Sequence, residues 1–260
     1  MAKIGGLSYS FLTHLATDFD LRNSSFPYLI LFLSKQINIS ILFLILMKKT
    51  INLIAAFVVI TVMGSAVSDT KQDGWISIFD GKTLNGWKVG QNAGSFSVVD
   101  GAIQVAGPTA HLFYEGPVKN HMFKNFEFKA QVMTKPGANS GIYIHTAYQE
   151  GGWPSKGYEV QVNNSHTDWK RTGSLYNIQD VKETYVKDNE WYTEYVRVEG
   201  KHITIKINDK TVVDYEETDT DKRSGGEKDR ILSAGTFALQ AHDPKSVVLF
   251  KDIQVKPLTE

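Results

Sequence analysis

Residues 95–105 read Ser-Phe-Ser-Val-Val-Asp-Gly-Ala-Ile-Gln-Val, and this short stretch decides the fold. Two runs of alternating character meet at Asp100-Gly101, and side chains of an extended chain point to opposite faces in turn. A type I′ turn needs positive φ at both central residues, which Asp-Gly tolerates cheaply, so the stretch predicts a β-hairpin. The same period of two recurs on either side. Phe126 to Thr134, FEFKAQVMT, sets Phe126, Phe128, Ala130 and Val132 against Glu127, Lys129, Gln131 and Met133. Trp191 to Glu199 and Lys201 to Asn208 form another alternating pair with Ile203, Ile205 and Ile207 inward, and Asn208-Asp209-Lys210 turns the chain into Thr211 to Tyr215. Thr236 to His242 and Val247 to Val255 give two more strands, parted at Asp243-Pro244. Upstream, Gly74 to Val89 carries turn signals at Asp80-Gly81 and Asn85-Gly86, and predicts an edge strand and a loop whose tryptophans, Trp75 and Trp87, plug the core. From residue 69 onward no run keeps a helical period, so about ten to twelve short strands predict an all-β sandwich. The charge-dense span from Glu216 to Arg230 reads as a solvated loop with no part in a site.

Composition narrows the partners. The 260 residues carry 28 basic and 28 acidic side chains, a balance that leaves no footprint for nucleic acid and favours a neutral ligand. Cysteine is absent, which removes disulfides, thiolate metal sites and a thiol nucleophile. From Met47 the chain has the form of a secretory signal peptide: Lys48 and Lys49, an apolar run from Ile51 to Val62, then Ala66-Val67-Ser68 before a cut at Asp69. Residues 1–46 then read as upstream sequence joined by an early start, or as a transmembrane helix over Phe26 to Leu46, which Lys35, Gln36 and Asn38 interrupt. The expected organisation is therefore 1–46 upstream segment, 47–68 signal peptide and 69–260 one mature domain, periplasmic or secreted, with no stable membrane insertion.

The site is expected between Gly137 and Asn177. Gly141 to His145 and Gly157 to Val162 alternate as strands, sending Ile142, Ile144, Val160 and Val162 to the core. The opposite faces then gather Tyr143, His145, Glu159, Gln161 and Asn163. A phenol, an imidazole, a carboxylate and amides on one patch exceed what a sheet needs to meet water.

These runs carry a family resemblance. Phe79-Asp80-Gly81-Lys82-Thr83-Leu84-Asn85-Gly86-Trp87, Asn139-Ser140-Gly141-Ile142-Tyr143, Gly157-Tyr158-Glu159-Val160-Gln161, Thr172-Gly173-Ser174-Leu175-Tyr176, Leu239-Gln240-Ala241-His242 and Phe250-Lys251-Asp252-Ile253 follow one another in order. From about Gly74 to Leu258 the sequence resembles the 3-keto-disaccharide hydrolase family, formerly a domain of unknown function. The resemblance implies a concanavalin-like jelly roll, two packed antiparallel sheets with a face that holds carbohydrate, and activity on glycosides already oxidised at C3. A sugar 3-dehydrogenase is the implied pathway link. Position 145 is His where many members carry Arg, so any role of His145 belongs to a subgroup.

A C3 ketone acidifies the proton on C2, and its removal gives an enolate that can expel the substituent on C1. Such an elimination needs a base, an oxyanion stabiliser and a proton donor. It does not need the paired carboxylates of ordinary glycosidases, and positions 159, 161 and 163 supply only one. Glu159 is the expected base or metal ligand, with His145 and His242 as proton shuttles or, together with Glu159, as ligands of a divalent metal ion. Tyr143, Gln161, Tyr176 and Gln240 suit sugar hydroxyls, Trp153 a pyranose face, and Lys156 and Arg171 an oxyanion; His166 and Asp168 share the same polar loop. The rival expectation is a carbohydrate-binding module without catalysis.

Overall fold

The structure is a computed structural model that describes residues 74–218 and 228–259; the expectations for 1–46 and 47–68 lie outside the described residues. Thirteen strands are described: β1 Ile76–Ser77, β2 Trp87–Val89, β3 Phe96–Val99, β4 Ala102–Ala106, β5 Ala110–Tyr114, β6 Phe126–Thr134, β7 Ser140–Thr146, β8 Tyr158–Val162, β9 Tyr192–Glu199, β10 His202–Ile207, β11 Lys210–Glu216, β12 Thr236–Ala241 and β13 Val247–Pro257. They form two antiparallel sheets. The larger runs β11-β10-β9-β6-β13-β4-β3, with β1 also on β13, and the smaller runs β2-β5-β12-β7-β8. No described helix is long and apolar enough to cross a membrane.

The opening hairpin forms as its sequence dictates. Val99 pairs with Ala102 across Asp100 and Gly101, whose φ values of 50° and 80° are those of a type I′ turn. In β6 the alternation is complete, with Phe126, Phe128, Ala130 and Val132 buried and the residues between them partly exposed. Facing them from β12, Phe237 lies 4.9 Å from the Phe126 ring centroid and 4.8 Å from that of Phe128. This aromatic knot joins the two sheets, and truncating Phe237 to alanine costs about 3–5 kcal/mol in such a setting.

Only one of the two early tryptophans plugs the core. Trp87 is buried and its Nε1–H donates to the Ile78 carbonyl at 2.8 Å. Trp75 lies beneath the Lys129 ammonium, 4.1 Å from its ring, and beside Tyr195. Lys129 and Tyr195 belong to the partly exposed rows of β6 and β9, so Trp75 packs on the outside of the larger sheet, where its ring shields sheet surface from water.

The two sheets differ in their second faces. The larger sheet is half wet, whereas β5, β7, β8 and β12 are buried at every position. One face of the smaller sheet packs on the larger through Leu112, Ile142, Val160 and Leu239. Its other face carries His111, Phe113, Tyr143, Glu159, Gln161 and Gln240, all buried although most are polar. Part of this face opens into a cavity.

Candidate active site

Strand register builds the floor of that cavity. Tyr143 pairs with Glu159 and Ala238 with Tyr143, while Gly141 pairs with Gln161 and Gln240 with His111. Cross-strand neighbours on one face stand about 4.5–5.5 Å apart, so these residues form two adjoining rows across four strands. Gly141 is needed for contact: a Cβ there would stand 2.6 Å from Glu159 Oε1 and 3.0 Å from its Cγ. The carboxylate lies over the hole in the row that the missing side chain leaves.

Glu159 is held by two donors, Tyr143 O–H to Oε2 at 2.8 Å and Gln240 Nε2–H to Oε1 at 2.8 Å. Burial pushes its carboxyl above the usual range, while the Tyr143 hydrogen bond, the Arg230 charge, the Gln240 hydrogen bond and His242 pull it back. Tyr143 is driven well above the ordinary phenol range by its own burial and by the neighbouring carboxylate, so it remains a donor. Around this centre is a cavity of ≈ 230 Å³, lined by Tyr143, Glu159, Gln161 and Gln240 from the strands and by Asn139, Trp153, Tyr176, Arg230 and His242 from strand ends and loops. Among the described residues, Glu159 is the one carboxylate in that wall. Gln161 Nε2 donates to Asn139 Oδ1 at 3.2 Å, but Gln161 Oε1 and Gln240 Oε1 are buried without a partner, as is His111 Nε2 beside them. Two buried carbonyl acceptors on this face are therefore without a protein donor among the described residues.

At the rim, the half-exposed Trp153 meets His111 edge to face at 5.6 Å and His242 at 5.5 Å. Burial lowers the His111 imidazole to about 4, so it is neutral under ordinary conditions. Tyr176 closes another side, with Lys170 Nζ 4.6 Å from its ring and Arg230 donating to its carbonyl at 3.4 Å.

His145 does not join this group. Between Tyr143 and Thr146 the strand carries one residue more than its partner β12, where Ala238 and Thr236 face those two positions. His145 takes up the surplus with φ 54°, a β-bulge that breaks the alternation. Its ring packs edge-on against Phe126 of the core, Nε2–H donates to the Lys124 carbonyl at 2.9 Å, and Nδ1 accepts from Ser233 N–H at 3.2 Å. Burial brings it to about 4, a neutral structural imidazole. The trio expected to hold a divalent ion, His145, Glu159 and His242, is therefore not assembled, and among the described residues no three His, Asp or Glu side chains converge as metal ligands.

The two expected loop cations are also engaged elsewhere. Lys156 donates to the Ala234 carbonyl at 2.9 Å and lines a separate hollow with Tyr148 and Asp229. Arg171 closes its own loop onto Asn163 Oδ1 and the carbonyls of His166 and Asp168. Asn163, expected on the site face, is wholly buried and ties the same loop through its amide. His166 sits 5.7 Å from the His242 ring, and Asp168 Oδ2 is 3.5 Å from the Tyr176 hydroxyl.

A family model described as the 3-keto-alpha-glucoside-1,2-lyase-like domain matches residues 74–256, well over half of the sequence. The chain belongs to this family. A 3-keto-disaccharide hydrolase of Bacteroides thetaiotaomicron is 29% identical over 170 residues, covering 55% of this chain and 59% of that protein, so the chain spans about three fifths of that relative's length. Among solved structures, a Parabacteroides distasonis protein provisionally described as a glycosyl hydrolase superposes with a TM-score of 0.63 at 23% identity, over 74% of this chain and 98% of that one. A second from the same organism gives 0.56 at 19%, over 71% and 99%. At such identities the likeness shows the shared jelly-roll fold.

Within this 3-keto-alpha-glucoside-1,2-lyase-like domain, three wall or floor residues escape the sequence reading. Asn139 stands inside the quoted Asn139-Ser140-Gly141-Ile142-Tyr143 motif without a role assigned to it. His111 belongs to β5, Ala-His-Leu-Phe-Tyr, which shows no alternation because both of its faces are covered. Arg230 ends the charge-dense span taken as solvated, yet it lines the cavity and bears on Glu159.

Proposed function

We propose that this protein cleaves 3-keto-glycosides by removing the C2 proton and expelling the C1 substituent. The observation that carries the reading is a buried carboxylate, Glu159, held by two donors over a cavity in whose wall Gln161 Oε1 and Gln240 Oε1 are unpaired acceptors. At ≈ 230 Å³ the cavity is smaller than the ~300–1,000 Å³ typical of pockets for drug-sized ligands, which suits one sugar ring rather than a chain. Gln161 Oε1 and Gln240 Oε1 accept from ring hydroxyls, and Trp153 offers the rim an aromatic face.

In the reaction, Glu159 takes the proton from C2, and the C–H electrons form the enolate with its charge on the C3 oxygen. A carboxylate raised toward neutrality is a better matched base than an ordinary one. Arg230, whose charge bears on the carboxylate, and the Tyr143 hydroxyl, which donates to it, are suited to the developing oxyanion. The enolate then restores the ketone, a C1–C2 double bond forms, and the C1–O bond breaks. His242, protonated at both nitrogens at this step, gives its Nε2 proton to the departing oxygen and keeps the one on Nδ1. Addition of water across the double bond completes a net hydrolysis. Among the described residues Glu159 is the one carboxylate in the wall, which favours this route over the two-carboxylate route of ordinary glycosidases, whose acid and base or nucleophile flank the bond.

Incubation with a chromogenic 3-keto-glucoside in D2O tests this. The expected result is release of the aglycone with deuterium at C2 of the hydrated product, both lost in Glu159→Gln. Saturable binding of keto-sugar with neither release nor exchange would instead make the domain a carbohydrate-binding module, a reading that the half-exposed Trp153 also suits.

A further inference from the structure

Behind His242 lies a hydrogen-bonded assembly that the reaction above does not use. His242 Nδ1 and Asp243 Oδ2 are 2.9 Å apart. Asp243 is itself fixed from two sides: Ser246 O–H donates to Oδ2 at 2.6 Å, and Lys245 N–H donates to Oδ1 at 2.8 Å. Ser246 Oγ in turn accepts the backbone N–H of Asn139 at 2.9 Å, so the assembly is tied to a residue of the cavity wall. Thr109 O–H holds the His242 carbonyl at 2.7 Å. The imidazole stands between the Trp153 and His166 rings at 5.5 Å and 5.7 Å. Burial pushes the Asp243 carboxyl up, but the hydrogen bonds of Ser246, His242 and Lys245 outweigh it and hold the group at about 2, an anion throughout the working range.

We propose that Asp243, fixed by Ser246 and Lys245, is a positioning residue that holds His242 as the Nδ1–H tautomer and leaves Nε2 for the ligand in the cavity. An anion with both oxygens already receiving donors has only acceptor capacity to offer the ring, so Nδ1 must be the protonated nitrogen in neutral His242. Nε2 is then the nitrogen that exchanges a proton with a bound ligand, and the ring cannot swing away without giving up the carboxylate. The inference deepens the proposed reaction and rests on it for the use of His242, but the tautomer itself is independent of any substrate.

Asp243→Asn is the decisive variant. Its amide oxygen keeps the Lys245 N–H, its NH2 faces Nδ1, and Ser246 Oγ can accept the second amide hydrogen. A donor then meets Nδ1 and the proton moves to Nε2. The ¹⁵N signals of His242, assigned by their loss in His242→Gln, should change from the Nδ1–H to the Nε2–H pattern while the fold is retained. With a 3-keto-glucoside, kcat should fall by about 10²-fold or more, and KM should change little, as for a group that loses its correct tautomer. Ser246→Ala should give a smaller loss in kcat with the tautomer preserved. A tautomer unchanged in Asp243→Asn, or a changed tautomer with full kcat, overturns the proposal. If the wild-type protein processes no 3-keto-glycoside, the reaction falls, and the ¹⁵N spectra still decide the clamp.

Discussion

Among the described residues two glutamates are buried, Glu159 in the smaller sheet and Glu194 in the larger, and their surroundings could hardly differ more. Glu159 on β8 receives two hydrogen bonds, feels the Arg230 charge and opens on a cavity. Glu194 on β9 occupies an inward position between Tyr192 and Val196, opposite Ala130 and Ile207 of its neighbours, with neither oxygen partnered. Burial raises both carboxyls, but only in Glu159 do donors and a cation oppose it; Glu194 is pushed well above the usual range with nothing to offset the push. An isolated carboxylate in a protein interior costs several kcal/mol, so the group takes up a proton instead. Burial alone therefore makes an inert acid, whereas burial with donors makes a base that can ionise and still be basic.

The sharpest way to break the comparison is to remove each carboxylate in turn. Glu159→Gln should lower kcat on a 3-keto-glucoside by roughly 10²–10⁴-fold, the range of a lost general base, while Glu194→Gln leaves kcat and KM unchanged. Equal losses in both would show that a perturbed carboxyl, rather than its placement, had been mistaken for a site.

Gly141→Ala comes next, because it keeps Glu159 and spoils only its seat. The added Cβ would stand 2.6 Å from Oε1, and the far end of a side chain yields before a backbone does. Turnover should drop by about 10²-fold, as expected for a misplacement on the order of 1 Å, with a stability cost of about 1–3 kcal/mol from overpacking. Full activity in steady-state assays would remove the carboxylate's position from the argument.

The contrast also explains what could be read from sequence. The larger sheet has one wet face, and its strands show it: FEFKAQVMT and HITIKI alternate in sequence and in the structure. The smaller sheet has loops and the site over its second face, so burial runs through every residue and polarity no longer reports exposure. Glu159, Gln161 and Tyr143 were still legible, because a strict period of two places them opposite Ile142, Val160 and Val162. His145 was not, since a bulge is one surplus residue relative to a partner strand, and pairing is not written in either strand alone. Arg230 was hidden for the opposite reason: a cation in a charge-dense run looks solvated until the fold puts it against a buried carboxylate. Glu194 looks like any polar residue of a half-wet strand, but its parity with Tyr192, Val196 and Val198 points it inward.

That parity gives a stability prediction. A carboxyl whose folded value is raised binds its proton more tightly in the native state than in the unfolded chain. Its favourable contribution is complete below the unfolded value near 4.5 and is lost as pH rises toward the folded value, with a slope of up to about 1.4 kcal/mol per pH unit for each such group. Glu194→Met, which removes the group and fills its space, should flatten this decline and leave the protein about 1–3 kcal/mol more stable at pH 8 than the parent. Urea unfolding at pH 5 and pH 8 measures it. Parallel pH dependences would mean that Glu194 finds water or a partner in solution.

The smallest effect is expected at His145, and its size is informative because the residue is a strand histidine only three positions from the apolar core residue Ile142 and two from Tyr143. His145→Gln can still donate to the Lys124 carbonyl or accept from Ser233, but not with the same reach, so a loss of about 1 kcal/mol in stability at pH 7.5 is expected. Catalytic constants should not move. Here the sign of the pH effect is reversed. A histidine depressed from 6.5 to about 4 stabilises the native state above pH 6.5 and loses that contribution as pH falls toward 4, because the unfolded chain takes up the proton first. The substitution should therefore make acid unfolding less steep while leaving turnover intact. Lost turnover with an unchanged acid limb would return His145 to the site and make the bulge a catalytic device; retained turnover with a flatter acid limb assigns the imidazole to the joint between the two sheets.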